Sequence, residues 1–167
     1  MCQQAPKLAT RSGLLGKILI ELYAEHLFPL IPVMEYRDLS DSVAAPIVRQ
    51  ALYLAGSMMQ QPKDYPSKLK PKDFFLGIKM LLSLYHQHDA FAVLKCLCVL
   101  SCWSWQSPTK ATIDTPWRWS GMAIRLPIQL SLHKEATYSR LENRQCARRI
   151  WWLLLVSQAR KLFQVSS

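Results

Sequence analysis

Apolar residues recur at three- and four-residue intervals along most of the chain, the spacing that lines one face of a helix. Leu15, Ile18, Leu19 and Leu22 share one face of a first predicted helix that ends near His26. Phe28-Pro29-Leu30-Ile31-Pro32 opposes helix, because each proline lacks an amide and restricts the residue before it. That stretch is expected to be an extended, partly buried connection. A second helix carries Ile47, Ala51, Leu54 and Met58, with Pro46 in its first turn, where a missing amide costs little. Residues 60–71 hold Pro62, Pro66, Pro71 and several lysines and read as an exposed loop. Pro71 and Asp73 then open a third helix with Phe75, Ile78, Leu82 and Tyr85 inward. Asp89 is the expected N-cap of a fourth, which runs from 90 to about 105 and is apolar nearly all round, the mark of a helix central in its bundle.

Ser107-Pro108-Thr109 breaks the chain again, and Asp114-Thr115-Pro116 supplies an entry signal for a fifth helix. Trp119, Met122, Ala123, Leu126 and Leu130 form its predicted inner face, with Arg118, Arg125 and Gln129 opposite. Ser139-Arg140-Leu141-Glu142 fits a capping box opening the last helix, which places Cys146, Ile150, Leu153 and Leu154 inward. Arg144 and Arg148, four apart on its surface, repel, and something acidic is expected against them. The pattern predicts six helices, no strand and no internal repeat, so the fold class is all-α, a multi-helix bundle.

A length of 167 residues suits one domain, and a half-hydrophobic composition supplies a core. Residues 1–13 read as a flexible leader, 14–163 as the folded body and 164–167 as a tail. The net charge of +10, from 21 basic and 11 acidic residues, favours acidic partners, nucleic acid before anionic membrane. The basic residues are spread rather than clustered, which also fits a merely basic soluble domain. Five cysteines (Cys2, Cys96, Cys98, Cys102, Cys146) form an odd set without a disulfide framework, and the polar N-terminus lacks a signal peptide. Both point to a reducing, intracellular compartment. The longest apolar run, 91–105, contains Lys95 and is shorter than the ~18–20 residues of a membrane span. No membrane association is expected.

Cys96-x-Cys98-x3-Cys102 lies inside a predicted helix, where Cys96 and Cys98 point in nearly opposite directions and Cys98 and Cys102 share a face. Structural zinc favours closely spaced cysteines on turns, so these read as core thiols. His86-x-His88 and His133 lack the carboxylate company of a metal motif. Nucleophile elbows and phosphate-cradling loops are missing, and the acids sit mostly at caps and loops, so enzyme function has little support. A cysteine–histidine pair assembled in space stays open. The tryptophans come in pairs, Trp103/Trp105, Trp117/Trp119 and Trp151/Trp152. With nearby arginines they suit stacking on single-stranded bases, but helical spacing favours packing in the core and between helices. Arg148-Arg149-Ile150-Trp151-Trp152 is the most specific string, two cations one turn before an aromatic ledge.

That string matches the Arg-Arg-x-Trp-Trp signature of the middle regulatory domain of fungal zinc-cluster (Zn2Cys6) transcription factors, and the chain resembles that family. Gly121-Met122-Ala123-Ile124-Arg125-Leu126, continuing to Leu130-Ser131-Leu132-His133-Lys134-Glu135, is similar to its Gly-x-Ala-x-Arg-x-Ala…Leu-Gly-Leu-His pattern. Phe28-Pro29-Leu30-Ile31-Pro32 is a weaker third match, to an opening His-Pro-x-x-Pro. Arg49-Gln50-Ala51-Leu52-Tyr53-Leu54-Ala55-Gly56-Ser57, Leu100-Ser101-Cys102-Trp103-Ser104 and His133-Lys134-Glu135-Ala136-Thr137-Tyr138-Ser139 look like cutinase-regulator-type members. The signature positions are Gly121, Ala123, Arg125, Leu132, His133, Arg148, Arg149, Trp151 and Trp152.

The chain departs from the pattern in places. Pro127 stands where the family usually has alanine and should cost ~3 kcal/mol if the helix is continuous. Ser131 replaces the common glycine. After Trp152 the expected Asp-Arg pair and Gly-Arg-Pro give way to Ser157-Gln158-Ala159-Arg160-Lys161, and the six-cysteine cluster is not in the sequence. The chain therefore resembles the first half of a larger helical regulatory domain.

The resemblance implies a nuclear protein that regulates transcription of metabolic genes, with no catalytic residue and no cofactor in this chain. Zinc is expected only in the family's N-terminal cluster, and DNA contact only through that cluster. Partners would be proteins or the remaining parts of the regulator, with a small-molecule effector also implied. Arg148, Arg149, Trp151 and Trp152 would organise the domain rather than touch DNA. A stand-alone helical adaptor for a protein or small apolar ligand remains the alternative. The product of an incomplete gene, whose halved bundle would aggregate, is a further one.

Overall fold

A computed structural model describes residues 14–40, 44–60, 70–84, 89–102 and 114–165, with no side-chain description for 84 and 160–165. The described residues form seven α-helices with one π-helical and one 3-10 turn and no strand, an all-α bundle as expected. The leader, most of the 60–71 loop, the 107–109 break, Cys2, His86, His88, Trp103 and Trp105 lie outside them.

Helix α1 (Leu14–Leu22) runs directly into the π-helical turn Tyr23–Leu27. Leu19, Ile20, Tyr23 and Leu27 are buried, whereas Leu15, Ile18 and Leu22 are half-buried, so the inner face is rotated from the predicted one. Tyr23 lies on that rotated face, and its hydroxyl donates to the Ile31 carbonyl at 2.7 Å inside the core. The proline stretch is extended only in part. Leu30 and Ile31 amides both return to the Leu27 carbonyl, so 28–30 form a turn, and the irregular connector begins at Ile31. Ile31, Val33 and Met34 are buried along it before a 3-10 turn at Tyr36–Leu39.

Pro46 opens α2 (Pro46–Met58), whose Ile47, Ala51 and Leu54 are fully buried and Met58 half-buried, as the spacing predicts. In α3 (Pro71–Leu84) Phe75 and Ile78 face inward as expected, Leu82 is half-buried, and Tyr85 lies beyond the described residues. The Asp89 carboxylate accepts the Ala92 amide at 3.1 Å and caps α4 (Ala90–Cys102). Residues 94 to 101 of α4 are all buried, and the helix packs on α2 and on two later helices, α5 (Pro116–Gln129) and α7 (Arg144–Val165), the central position its all-round apolarity predicts. Cys96 and Cys98 are core thiols, whereas Cys102 is exposed where the helix leaves the core.

Helix α5 (Pro116–Gln129) is capped by Thr115, whose hydroxyl accepts the Arg118 amide at 3.2 Å. Its buried residues are Trp119, Ser120, Ala123 and Pro127, and Met122 is 40% exposed, which corrects the predicted face. Small residues explain the shift. Ser120 is buried and takes a hydrogen bond from Gln158 of α7 to its hydroxyl at 2.6 Å, a role that hydrophobicity alone does not assign to serine. Pro127 sits inside a continuous helix, in its last turn. The predicted capping box at Ser139 is not formed. Ser139 instead ends the short helix α6 (Glu135–Tyr138), its hydroxyl bonded to the Ala136 carbonyl at 2.8 Å. The last helix, α7 (Arg144–Val165), opens at Asn143, whose carbonyl takes the Ala147 amide, and buries Cys146, Ala147, Ile150 and Leu154.

Candidate functional site

The end of α5 begins the region where the two motif segments meet. The Ser131 amide returns to the Ile128 carbonyl and the Leu132 amide to the Pro127 carbonyl, at 3.0 and 2.9 Å, which together make a Schellman C-cap. The residue at its turn, Ser131, has φ of 59°, the left-handed region that glycine enters without a Cβ penalty. The serine that departs from the family pattern thus stands where glycine is physically favoured. Ser131→Gly should raise stability by about 1 kcal/mol, read as a higher urea midpoint with an unchanged slope. An unchanged midpoint would show that the turn stores no strain.

Two side chains fasten the segment beyond this cap. The Thr137 hydroxyl donates to the Ser131 carbonyl at 2.8 Å, and the Tyr138 hydroxyl donates to the carbonyl of buried Leu132. These bonds fold α6 back beneath the cap and present Glu135 to α7. Arg148 forms an ion pair with Glu135, and its guanidinium lies 5.0 Å from the centre of the Tyr138 ring. Of the two arginines expected to face an acid, Arg148 finds it in Glu135, and Arg144 makes no ion pair among the described residues. His133 meets Trp151, ring centres 6.3 Å apart, so both motif segments touch twice.

On its other side α7 is docked to the irregular connector. The Cys146 thiol donates to the Val33 carbonyl at 3.2 Å, and Arg149 makes a long contact of 3.4 Å to the Met34 carbonyl. Both give donors to connector carbonyls that no regular ladder serves. Beneath them lies a charge cluster that sequence reading did not find. Lys95, 3% exposed on central α4, donates to Asp38 at 2.6 Å and to Glu35 at 3.1 Å. Asp38 also accepts the Glu35 amide at 2.7 Å, and Arg37 pairs with Glu35 at 2.9 Å. Burial alone would depress Lys95, but the bonds and charges of Asp38 and Glu35 outweigh it and hold the ammonium above its usual range. Burial likewise works against an ionised Glu35, and Lys95 and Arg37 overcome it, so that its carboxyl lies below the ordinary value.

The signature residues divide by environment. Ala123 and Leu132 are buried; Arg125 and His133 are exposed. Arg148 and Arg149 point outward with the bonds described. Trp151 is half-buried against His133, but Trp152 is 61% exposed and Trp117 56%, so core packing holds for neither. Gly121 has open space where a Cβ would stand, and no close approach demands glycine there.

Chemically the arrangement suits packing and binding. Burial pushes the Cys96, Cys98 and Cys146 thiols upward, Cys146 despite opposing help from Lys95 and Arg149, which leaves them poor nucleophiles. No group of three His, Cys, Asp or Glu among the described residues could hold a metal ion, so these side chains do not fit zinc. Among the same residues no helix is long and apolar enough to cross a membrane.

Two curated fungal regulators are similar to this chain in sequence. The acetamidase regulatory protein of Aspergillus fumigatus is 27% identical over 147 residues, covering 82% of this chain and 19% of that protein. Cutinase transcription factor 1 beta of Fusarium vanettenii is 25% identical over 155 residues, 83% of this chain and 17% of that protein. The chain thus spans less than a fifth of the length of these curated relatives. No solved structure matches it. The family model for the fungal specific transcription factor domain matches residues 20–157, a span that takes in the connector, the buried lysine and both motif segments, and the chain belongs to that family.

Proposed function

We propose that this domain serves a nuclear regulator of metabolic genes as its helical regulatory part, without catalysis and without a cofactor of its own. The observation that carries the reading is the family match over 20–157, with the two motif segments joined through Glu135, Arg148, His133 and Trp151. DNA contact falls to a zinc cluster elsewhere in the regulator. Arg148, Arg149 and Trp151 hold α6 and the connector against α7. Trp152 stands apart from that task as an outward contact. The remaining parts of the regulator, other proteins and a small-molecule effector are the partners that this role calls for.

Tethered to a heterologous DNA-binding domain, the chain should change reporter transcription severalfold, and Arg148→Glu should abolish the change. The untethered chain should show no sequence-specific DNA retention at about 150 mM salt, where only weak phosphate contacts would remain. A silent tethered reporter would overturn the regulatory role. Specific retention of DNA by the chain alone would overturn the assignment of DNA contact to another segment.

A further inference from the structure

Helix α7 carries a face that the described fold leaves open. Arg144, Arg148, Trp152, Leu155 and Val156 lie within about 120° of one another around the helix at 3.6 residues per turn. All five are exposed, Trp152 at 61% and Val156 at 49%. Polarity changes along the axis of this face and not across it: the first turns are cationic, the next are apolar. At the cationic end an open groove of about 350 Å³ runs between α6 and α7, with Arg144, Arg148 and Tyr138 in its lining. Glu135 neutralises Arg148, while Arg144 and Arg149 make no ion pair among the described residues.

We infer that this face of α7, with the groove at its cationic end, docks an acidic amphipathic helix from a partner protein. Charge complementarity selects that occupant. A chain of net charge +10 meeting a second copy would set arginines against arginines or against the apolar turns. Nucleic acid answers the arginines and can stack a base on Trp152, but it leaves the aliphatic Leu155 and Val156 uncovered. A membrane-surface helix segregates its polar and apolar residues across the axis, with cations flanking the apolar face throughout. Here they follow one another along it. A helix with carboxylates on its first turns and large apolar side chains on the next matches both halves: it gives the arginines acids and the tryptophan a helix-in-groove contact. The inference rests on this surface alone and stands independently of any role in transcription.

The probe is a synthetic 18-residue helical peptide carrying Glu on two turns and Leu and Phe on the next two turns of the same face. Its Glu→Lys counterpart is the control, and calorimetry on the full chain is the readout. Binding of the Glu peptide is expected, with about tenfold loss for Arg144→Glu and for Trp152→Ser, whose exposed positions should leave thermal melting unchanged. Should either variant melt early, Leu155→Gln replaces it. Equal binding of the Lys peptide, no binding, or binding indifferent to these variants would overturn the proposal. So would a dimer in sedimentation that Trp152→Ser dissolves, or retention on phosphatidylserine vesicles with the same dependence on Arg144 and Trp152.

Discussion

Replacing Lys95 by methionine should destabilise the fold by about 3–5 kcal/mol at neutral pH, the cost of removing one partner from a buried ion pair. The side chain of Lys95 is only 4% exposed, and its ammonium is held by Asp38 at 2.6 Å and Glu35 at 3.1 Å. Methionine keeps the length and the apolar stem but takes the ammonium from Asp38 and leaves Glu35 with Arg37 alone. The pH dependence gives the test its sign. Glu35 is lowered in the folded chain, so its contribution is present above the usual carboxylate value of about 4.3 and lost as pH falls through the folded value. Lys95 is raised, so its contribution is complete below about 10.4 and lost as pH rises through the folded value. Between those limits the Glu35–Lys95 pair is fully charged. In Lys95→Met Glu35 loses the larger of its two cationic supports and gains a proton more readily on folding, so the deficit should be larger at pH 7 than at pH 4. Urea melts at the two pH values check it. A variant as stable as wild type at pH 7, or a deficit that grows on acidification, would remove the cluster from the account of what holds the connector.

That cluster also shows where sequence reading stops. The run at 91–105 marks a central helix correctly, because a segment apolar on every side has to be surrounded. Within that run Lys95 is a single polar residue, and its acids lie 60 and 57 positions away on an irregular connector. Neither periodicity nor motif spacing links residues so far apart. Local signals fared according to their chemistry. Asp89 and Thr115 are read rightly as caps, since each serves an amide three residues on. Ser139 has the same local grammar, but Glu135 to Tyr138 form their own turn of helix and claim its hydroxyl.

The motif segments were legible as strings and not as a site. Arg148 needing an acid follows from its neighbour Arg144, yet Glu135 becomes that acid only through the cap at Ser131 and the Tyr138 bond to Leu132. The exposure of Trp152 was hidden for a related reason. Trp151 and Trp152 are adjacent, so on a helix they point about 100° apart and only one can face the core side. A paired aromatic string therefore has one inward and one outward member, and the outward one is the residue that gives α7 its open face.

Gly56→Ala should destabilise the fold by about 3 kcal/mol, at the upper end of ordinary overpacking. A Cβ built on Gly56 would stand 2.7 Å from the carbonyl carbon of Leu19 and 2.9 Å from its Cα, with the carbonyl oxygen closer still. All three are backbone atoms of α1, so no side chain can swing aside and the two helices must move apart. The substitution also has a favourable side, since alanine is the better residue in a helix interior by up to about 1 kcal/mol. The clash decides the sign because separating α1 from α2 opens the packing of buried Leu19 and Tyr53 between them. Gly16 supplies the internal control on the opposite helix. Its added Cβ would meet the Tyr53 hydroxyl at 2.6 Å and ring carbons at 3.1 and 3.3 Å, the far end of a side chain and no backbone atom. Gly16→Ala should therefore stay within about 1 kcal/mol of wild type, relief of backbone entropy offsetting the displaced ring. Denaturant melts of the two variants side by side separate backbone contact from side-chain contact. Equal losses at the two positions would mean that the α1–α2 approach is looser than 2.7 Å implies, and that Gly56 is replaceable.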